Sequence, residues 1–265
     1  MLDLKLSGKT AIVTGGSEGI GLACAKALFS EGVNVVIAAH DKLEVAAAEI
    51  RKLSNRDDAN MVIPVTVDLT KGESVKEVVQ TALSKFDRID ILVNCAGAAK
   101  AGAFLKLSDQ DFLDAWTLKL LGYIRMVKMV MPHMIERKDG RIVNIIGAAG
   151  RTPSPTFLPG STANAALINF TRGISKELAQ YNIRINAVSP APVETERAKR
   201  LAEQTAHARG ISIDEVIAET TRSIPLGRMI KPHEIANLVL FLVSDLAAAI
   251  TGAEIMSDGG QTPGM

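Results

Sequence analysis

The chain has 265 residues, 47 % hydrophobic and 22 % charged, which excludes a disordered polymer and supplies enough apolar material for a large core. Thirty basic and twenty-nine acidic residues leave a net charge of +1, so neither nucleic acid nor an anionic membrane surface is the expected partner. A small molecule is.

In chain order, Thr10–Thr14 reads as an apolar strand and runs into Thr14-Gly15-Gly16-Ser17-Glu18-Gly19-Ile20-Gly21. Glycines at 15, 19 and 21 let the backbone turn sharply, approach a pyrophosphate and pack a new helix, 20–29, against its strand. The free N–H groups and positive dipole end of that helix would face the anion. Asn34–Ala39 is the second strand, and a helix follows with Asp41 as its cap and Glu44 three positions on, ending near Leu53. A third strand, 62–67, ends in Asp68-Leu69-Thr70 before a helix over 73–86. Strand 89–94 is short and apolar on both faces, as a parallel sheet covered by helices requires. Long helical stretches at 109–137 and 162–180 flank a strand at 141–146, and Ser161 and Thr162 read as caps after the Pro159-Gly160 turn. A strand at 183–189, a charged region at 194–222 anchored at its ends, a helix at 232–246 and a strand at 253–257 complete the chain.

Repeated strand–helix units predict one α/β domain over residues 1–265, a Rossmann-type doubly wound parallel sheet of about seven strands with helices on both faces. The 194–222 insertion is placed as a lid over the substrate. No stretch reaches the length of a membrane span, and Met1 to Leu6 show no apolar run behind a basic segment, so the protein is expected in the cytoplasm. Cys24 and Cys95 read as small buried residues, and His133, His207 and His233 have no ligand partner at suitable spacing, so no metal is expected.

The same residues resemble the short-chain dehydrogenase/reductase family over essentially the whole chain. Thr14 to Gly21 is similar to its T-G-x-x-x-G-x-G cofactor loop, and Asp68 to the acid that contacts adenine. Asn94-Cys95-Ala96-Gly97 resembles N-N-A-G, with Val93 read in place of the first Asn. Pro190 to Thr195 resembles the P-G-x-x-x-T segment beside the nicotinamide, with Ala191 where Gly is usual, and Asp258-Gly259-Gly260 the closing D-G-G. The resemblance implies a bound NAD(P) held by Gly15, Ser17, Glu18, Gly19, Ile20, Gly21, His40, Asp68, Leu69, Asn94, Ala96, Gly97, Pro190 and Thr195, and a homodimer or homotetramer.

The family's catalytic Asn, Ser, Tyr and Lys fall on Lys119, Gly147, Gly160 and Asn164. All four roles have changed. The ammonium that normally stands on the helix of Asn164 is instead on the helix of Lys119, which would reach into space emptied by Gly147 and Gly160. There it would donate a proton or stabilise an oxyanion, with Asn164 orienting it. The alternative is that Lys119 reaches the surface or pairs with Asp114. Tyr123, one turn beyond Lys119, reads as core, subunit contact or catalytic group. Three activities follow: an oxidoreductase with a rebuilt acid acting on a small carbonyl or hydroxyl compound, a cofactor-holding lyase or isomerase, and a non-enzymatic dinucleotide-binding subunit. The first is favoured because the cofactor motifs and substrate region are complete. Ala39 in place of an acid, followed by His40, points to a mild preference for NADP over NAD, opposed by Glu18 and Asp41.

Overall fold

A computed structural model of the chain describes residues 3–53 and 61–263; Met1 and Leu2, part of the N-terminal stretch read above, lie outside them. Strands β1 (Thr10–Thr14), β2 (Asn34–Ala39), β3 (Val62–Thr66), β4 (Ile91–Asn94), β5 (Gly140–Ile145), β6 (Ile183–Pro190) and β7 (Glu254–Ser257) form a parallel sheet in the order β3-β2-β1-β4-β5-β6-β7. Each of β1, β2 and β4 divides its residues between the two faces with period two. Ala11, Val13, Val35, Ile37, Ile91 and Val93 join one core cluster, and Ile12, Val36, Ala38 and Leu92 the other. Helices α1 (Gly19–Ser30), α2 (Leu43–Arg51) and α9 (Pro232–Val243) cover the first face through Leu28, Ile50 and Val239. Helices α3 (Gly72–Phe86), α5 (Gly122–Arg137) and α6 (Leu158–Leu178) cover the second through Val78, Met126, Val130 and Leu178. The order reverses between β1 and β4, so the loops after these strands diverge and leave a crevice.

The sequence-predicted strands coincide with β1 and β2, differ from β3, β4, β6 and β7 by one or two residues at one end, and are shifted by one residue at both ends of β5. Four expectations change. The stretch 109–137 is not one helix: α4 (Asp109–Ala115) passes through a π-helical turn at Trp116–Leu121 into α5. Within this turn the Thr117 carbonyl also accepts from Arg125 Nη1 at 3.2 Å. Asp41 does not cap α2; Lys42 holds the cap position in a left-handed conformation (φ +55°), with its ammonium on Glu18. Ser161 and Thr162 lie inside α6, because Pro159 occupies the first turn, where its missing N–H costs nothing. Thr162 Oγ1 instead donates to the Leu158 carbonyl at 2.9 Å and accepts from Trp116 Nε1 at the same distance. Finally, the 194–222 region is held at more than its ends. It forms α7 (Glu196–Arg209) and α8 (Ile213–Arg222), which share a small apolar cluster of Ala202, Ala206 and Val216. Arg200 also ties α7 to Glu18 at 3.0 Å.

Candidate active site

The crevice beside β1 is shaped by glycines that admit no side chain. A methyl group built on Gly21 would lie 2.1 Å from the Gly15 carbonyl oxygen, and one on Gly15 would lie 2.9 Å from Ala96 Cα. Gly15 and Gly19 have φ of +66° and +57°, the left-handed region that other residues seldom adopt. Thr14 Oγ1 accepts from the backbone N–H groups of Cys95 at 3.1 Å and Ala96 at 3.4 Å, locking the loops after β1 and β4 together. No side chain caps α1 at Glu18, so the first-turn N–H groups keep their capacity for an anion.

A cavity of about 650 Å³ opens over this loop. Of the residues expected to hold the cofactor, Gly15, Ser17, Glu18, Gly19, Ile20, Gly21, His40, Asp68, Leu69, Ala96, Gly97 and Thr195 line it. Asn94 and Pro190 do not. Asn94 is wholly buried, donating through Nδ2 to Asn144 Oδ1 at 3.0 Å, and Asn144 donates onward to Thr171 Oγ1 at 3.0 Å. Pro190 ends β6 within the sheet. Thr195 also caps α7, accepting from the Ala198 N–H at 3.2 Å. Asp68 Oδ1 accepts from the Thr70 hydroxyl at 2.6 Å and the Thr70 N–H at 3.0 Å, which holds its carboxyl below the usual carboxylate range. Residue by residue, the four-letter motif falls on Asn94 to Gly97, so its departure is Cys95 in the second Asn position, not Val93.

Lys119 lies inside the π-helical turn and is partly buried. Its stem runs along Gly97, where an added methyl would come within 3.0 Å of Lys119 Cδ, and its Nζ donates to the Ile146 carbonyl at 2.6 Å. Asp114 is not its partner, being taken by Gln110 Nε2 at 2.6 Å. Burial first, then the nearby Arg197 guanidinium, lower the Lys119 pKa to about 7, with Cys95 acting weakly the other way. Tyr123 Oη donates to the preceding carbonyl, Ile145, at 2.9 Å and is wholly enclosed among Ile146, Leu167 and Ala187. Tyr123 is therefore core.

The spaces at Gly147 and Gly160 are filled, contrary to expectation. A methyl on Gly160 would meet the Phe157 ring at 2.2 Å, and one on Gly147 would lie 3.1 Å from Asn164 Nδ2. Asn164 thus stands beside Gly147 and makes no hydrogen bond to Lys119; its buried Oδ1 has no partner among the described residues. Phe157, Gly160, Lys119 and Arg197 line a small chamber that adjoins the cofactor cavity through Gly97 and Ala98. Sequence reasoning did not single out Phe157 or Arg197, although Arg197 lies in the 194–222 region placed over the substrate; the role of each depends on how a loop and α7 fold back. Sequence reasoning also missed the ammonium of Lys42 and the guanidinium of Arg200, which hold Glu18 at 2.9 and 3.0 Å. Arg197 stood two residues beyond the expected nicotinamide-side Thr195, a second signal that pointed toward it.

A sequence model of the family described as enoyl-(acyl carrier protein) reductase matches residues 15–262. The chain belongs to the short-chain dehydrogenase/reductase family. The relatives and solved structures below are named as reductases or oxidoreductases, and the likeness to each covers 97 % or more of the chain. The chain is 33 % identical over 259 residues to a 3-oxoacyl-[acyl-carrier-protein] reductase of Thermotoga maritima, covering 97 % of this chain and 99 % of that one. It is 36 % identical over 263 residues to the oxidoreductase UcpA of Salmonella typhimurium, covering 97 % and 96 %. Among solved structures, an actinorhodin polyketide ketoreductase with NADPH superposes with a TM-score of 0.92 at 31 % identity, over 97 % of this chain and 98 % of that one. L-Sorbose reductase from Gluconobacter frateurii, complexed with NADPH and L-sorbose, gives 0.93 at 28 % identity over 100 % of both chains. Among the described residues no helix is long and apolar enough to cross a membrane, and no group of His, Cys, Asp and Glu is arranged to hold a metal.

Proposed function

We propose that the protein is an NAD(P)-dependent oxidoreductase of a small carbonyl or hydroxyl compound in which Lys119 replaces the phenol as the group that moves the proton. The observation that carries this is the Lys119 ammonium beside Gly97, where the chamber meets the cofactor cavity, with its pKa near 7. The cradle fits a dinucleotide: Gly15 and Gly21 leave room that any Cβ would fill, and α1 presents uncapped N–H groups. A dinucleotide held there by Gly15, Gly19, Gly21 and the N-terminus of α1 would supply hydride chemistry at its nicotinamide. Everything else falls to the chain. The Ile146 carbonyl takes one N–H of the ammonium, which fixes Nζ and leaves its remaining donors for a substrate oxygen. As charge develops on that oxygen, the ammonium stabilises it and then gives up a proton; in the reverse direction the neutral amine accepts one. Asn164 Oδ1 has no hydrogen-bond partner among the described residues and makes none with Lys119, so its part is to fill the space at Gly147 rather than to orient the amine.

A mild preference for NADP belongs to the same proposal. Of the two acids that opposed it, Glu18 is neutralised by Lys42 and Arg200, while Asp41 still lines the cavity, 3.7 Å from the exposed imidazole of His40. Assembly as a homodimer or homotetramer rests on the family resemblance, and the role of 194–222 as a lid on its place as an insertion after the sixth strand. Incubation with NADPH or NADH and a panel of carbonyl compounds, followed at the nicotinamide absorbance band, tests the reading. Cofactor oxidation dependent on a carbonyl is expected. Product without net redox would make the protein a lyase or isomerase, and binding without turnover of any compound would leave it a dinucleotide-binding subunit.

A further inference from the structure

The chamber beside Lys119 is lined by Ala115, Phe157, Gly160 and Ala163 together with two basic side chains, Lys119 and Arg197, and no carboxylate. Glu196, the acid adjacent to Arg197 in sequence, lines the cofactor cavity and not the chamber, whereas Arg197 lines both. Arg197 forms no ion pair among the described residues, whereas Arg200, one turn on, is paired with Glu18 and Arg209 with Glu219. Its Nη1 donates to a neutral partner, the Gly97 carbonyl, at 2.6 Å. This contact bounds the chamber on the α7 side and the Phe157 ring lies over Gly160 on the α6 side, with a volume of about 20 Å³ between them. The two basic groups repel one another there, with no anion to offset either.

We propose that the substrate carries a carboxylate besides its reacting carbonyl, and that Arg197 exchanges the Gly97 carbonyl for that carboxylate when the chamber opens. This rests on the assignment of the proton-moving role to Lys119. A guanidinium makes two parallel, charge-assisted bonds to a carboxylate, against the single neutral acceptor it has here. The geometry therefore favours the exchange. The same carboxylate also offsets the repulsion between Arg197 and Lys119, which draws a proton onto the amine as substrate enters. Anchoring and proton supply become one event. A neutral ketone of the same shape would leave both basic groups facing each other. Arg197 is on this reading a specificity-determining residue that touches substrate, and Lys119 the group at the reacting oxygen.

The test uses the full-length protein loaded with NADPH and, in parallel, with NADH, titrated with 2-, 3- and 4-oxopentanoate and with their methyl esters, binding being read by calorimetry. The acid whose spacing matches is expected to bind about tenfold or more tightly than its ester, with proton uptake visible as a buffer-dependent heat. Arg197→Met is expected to abolish that preference while keeping cofactor affinity, and Arg197→Lys to restore part of it. Equal binding of acid and ester, no binding of any acid, or an acid preference that survives Arg197→Met would each overturn the proposal. A preference for the acid without turnover would uphold the carboxylate anchor and refute the oxidoreductase reading, so the two fail separately.

Discussion

Replacing Lys119 by Met removes the ammonium while keeping an unbranched stem along Gly97, and its effects on stability and on activity should run in opposite directions. Lowering a lysine pKa from 10.5 to about 7 corresponds to about 5 kcal/mol by which folding disfavours the charged form. The sign follows from proton binding. Below pH 7 the folded and unfolded chains both carry the ammonium and the penalty is complete. Between 7 and 10.5 the unfolded chain binds more protons, so the parent protein gains stability as pH rises. At pH 9 about 2 kcal/mol of the penalty remains. The variant forfeits the bond to the Ile146 carbonyl, about 1 kcal/mol, and residual solvent contact of Lys119 reduces the gain further. Lys119→Met should therefore be more stable than the parent by about 2–4 kcal/mol at pH 6, roughly 5–10 °C in Tm, and nearly equal to it at pH 9. Turnover should be lost with cofactor affinity kept, and in the parent carbonyl reduction should fall as pH rises through about 7, because the acid form is then depleted. Thermal unfolding of both proteins from pH 6 to 9, with turnover of each, checks this. A variant less stable than the parent at pH 6, a stability difference flat across the range, or undiminished turnover would refute the reasoning.

Two further substitutions probe the glycines. Gly21→Ala places a methyl 2.1 Å from the Gly15 carbonyl oxygen, so it should distort the loop and weaken dinucleotide binding about tenfold or more, measured by calorimetry on protein whose circular dichroism is unchanged. Gly160→Tyr with Asn164→Lys, the direct restoration of the family's own acid, should fail to restore activity while Phe157 is present, because that ring occupies the space at Gly160. Adding Phe157→Ala should make the restored pair tolerable, and a triple variant no more stable than the double would show that the ring is not the obstacle.

The alternation of apolar strands with amphipathic helices, and the glycine run between the first strand and helix, determined the fold class and most of the cofactor cavity without any coordinates. These are local signals: a fully buried parallel strand must be apolar on both faces, and a loop that cradles a pyrophosphate must lack side chains at Gly15 and Gly21. The proposed departures at Lys119, Gly147, Gly160 and Asn164 come from the family resemblance, whose catalytic motif falls on those positions of the sequence. What fills the resulting space was not legible in the sequence. Phe157 covers Gly160 from three residues away because Pro159 lets α6 begin at Leu158, and Lys119 finds the Ile146 carbonyl because a π-helical turn at Trp116–Leu121 re-aims its side chain. Arg197 meets Gly97 across 100 positions of sequence, and Glu18 meets Arg200 across 182. Contacts of that separation follow from where the sheet order and the return of α7 place each residue, and no window of neighbouring residues encodes them.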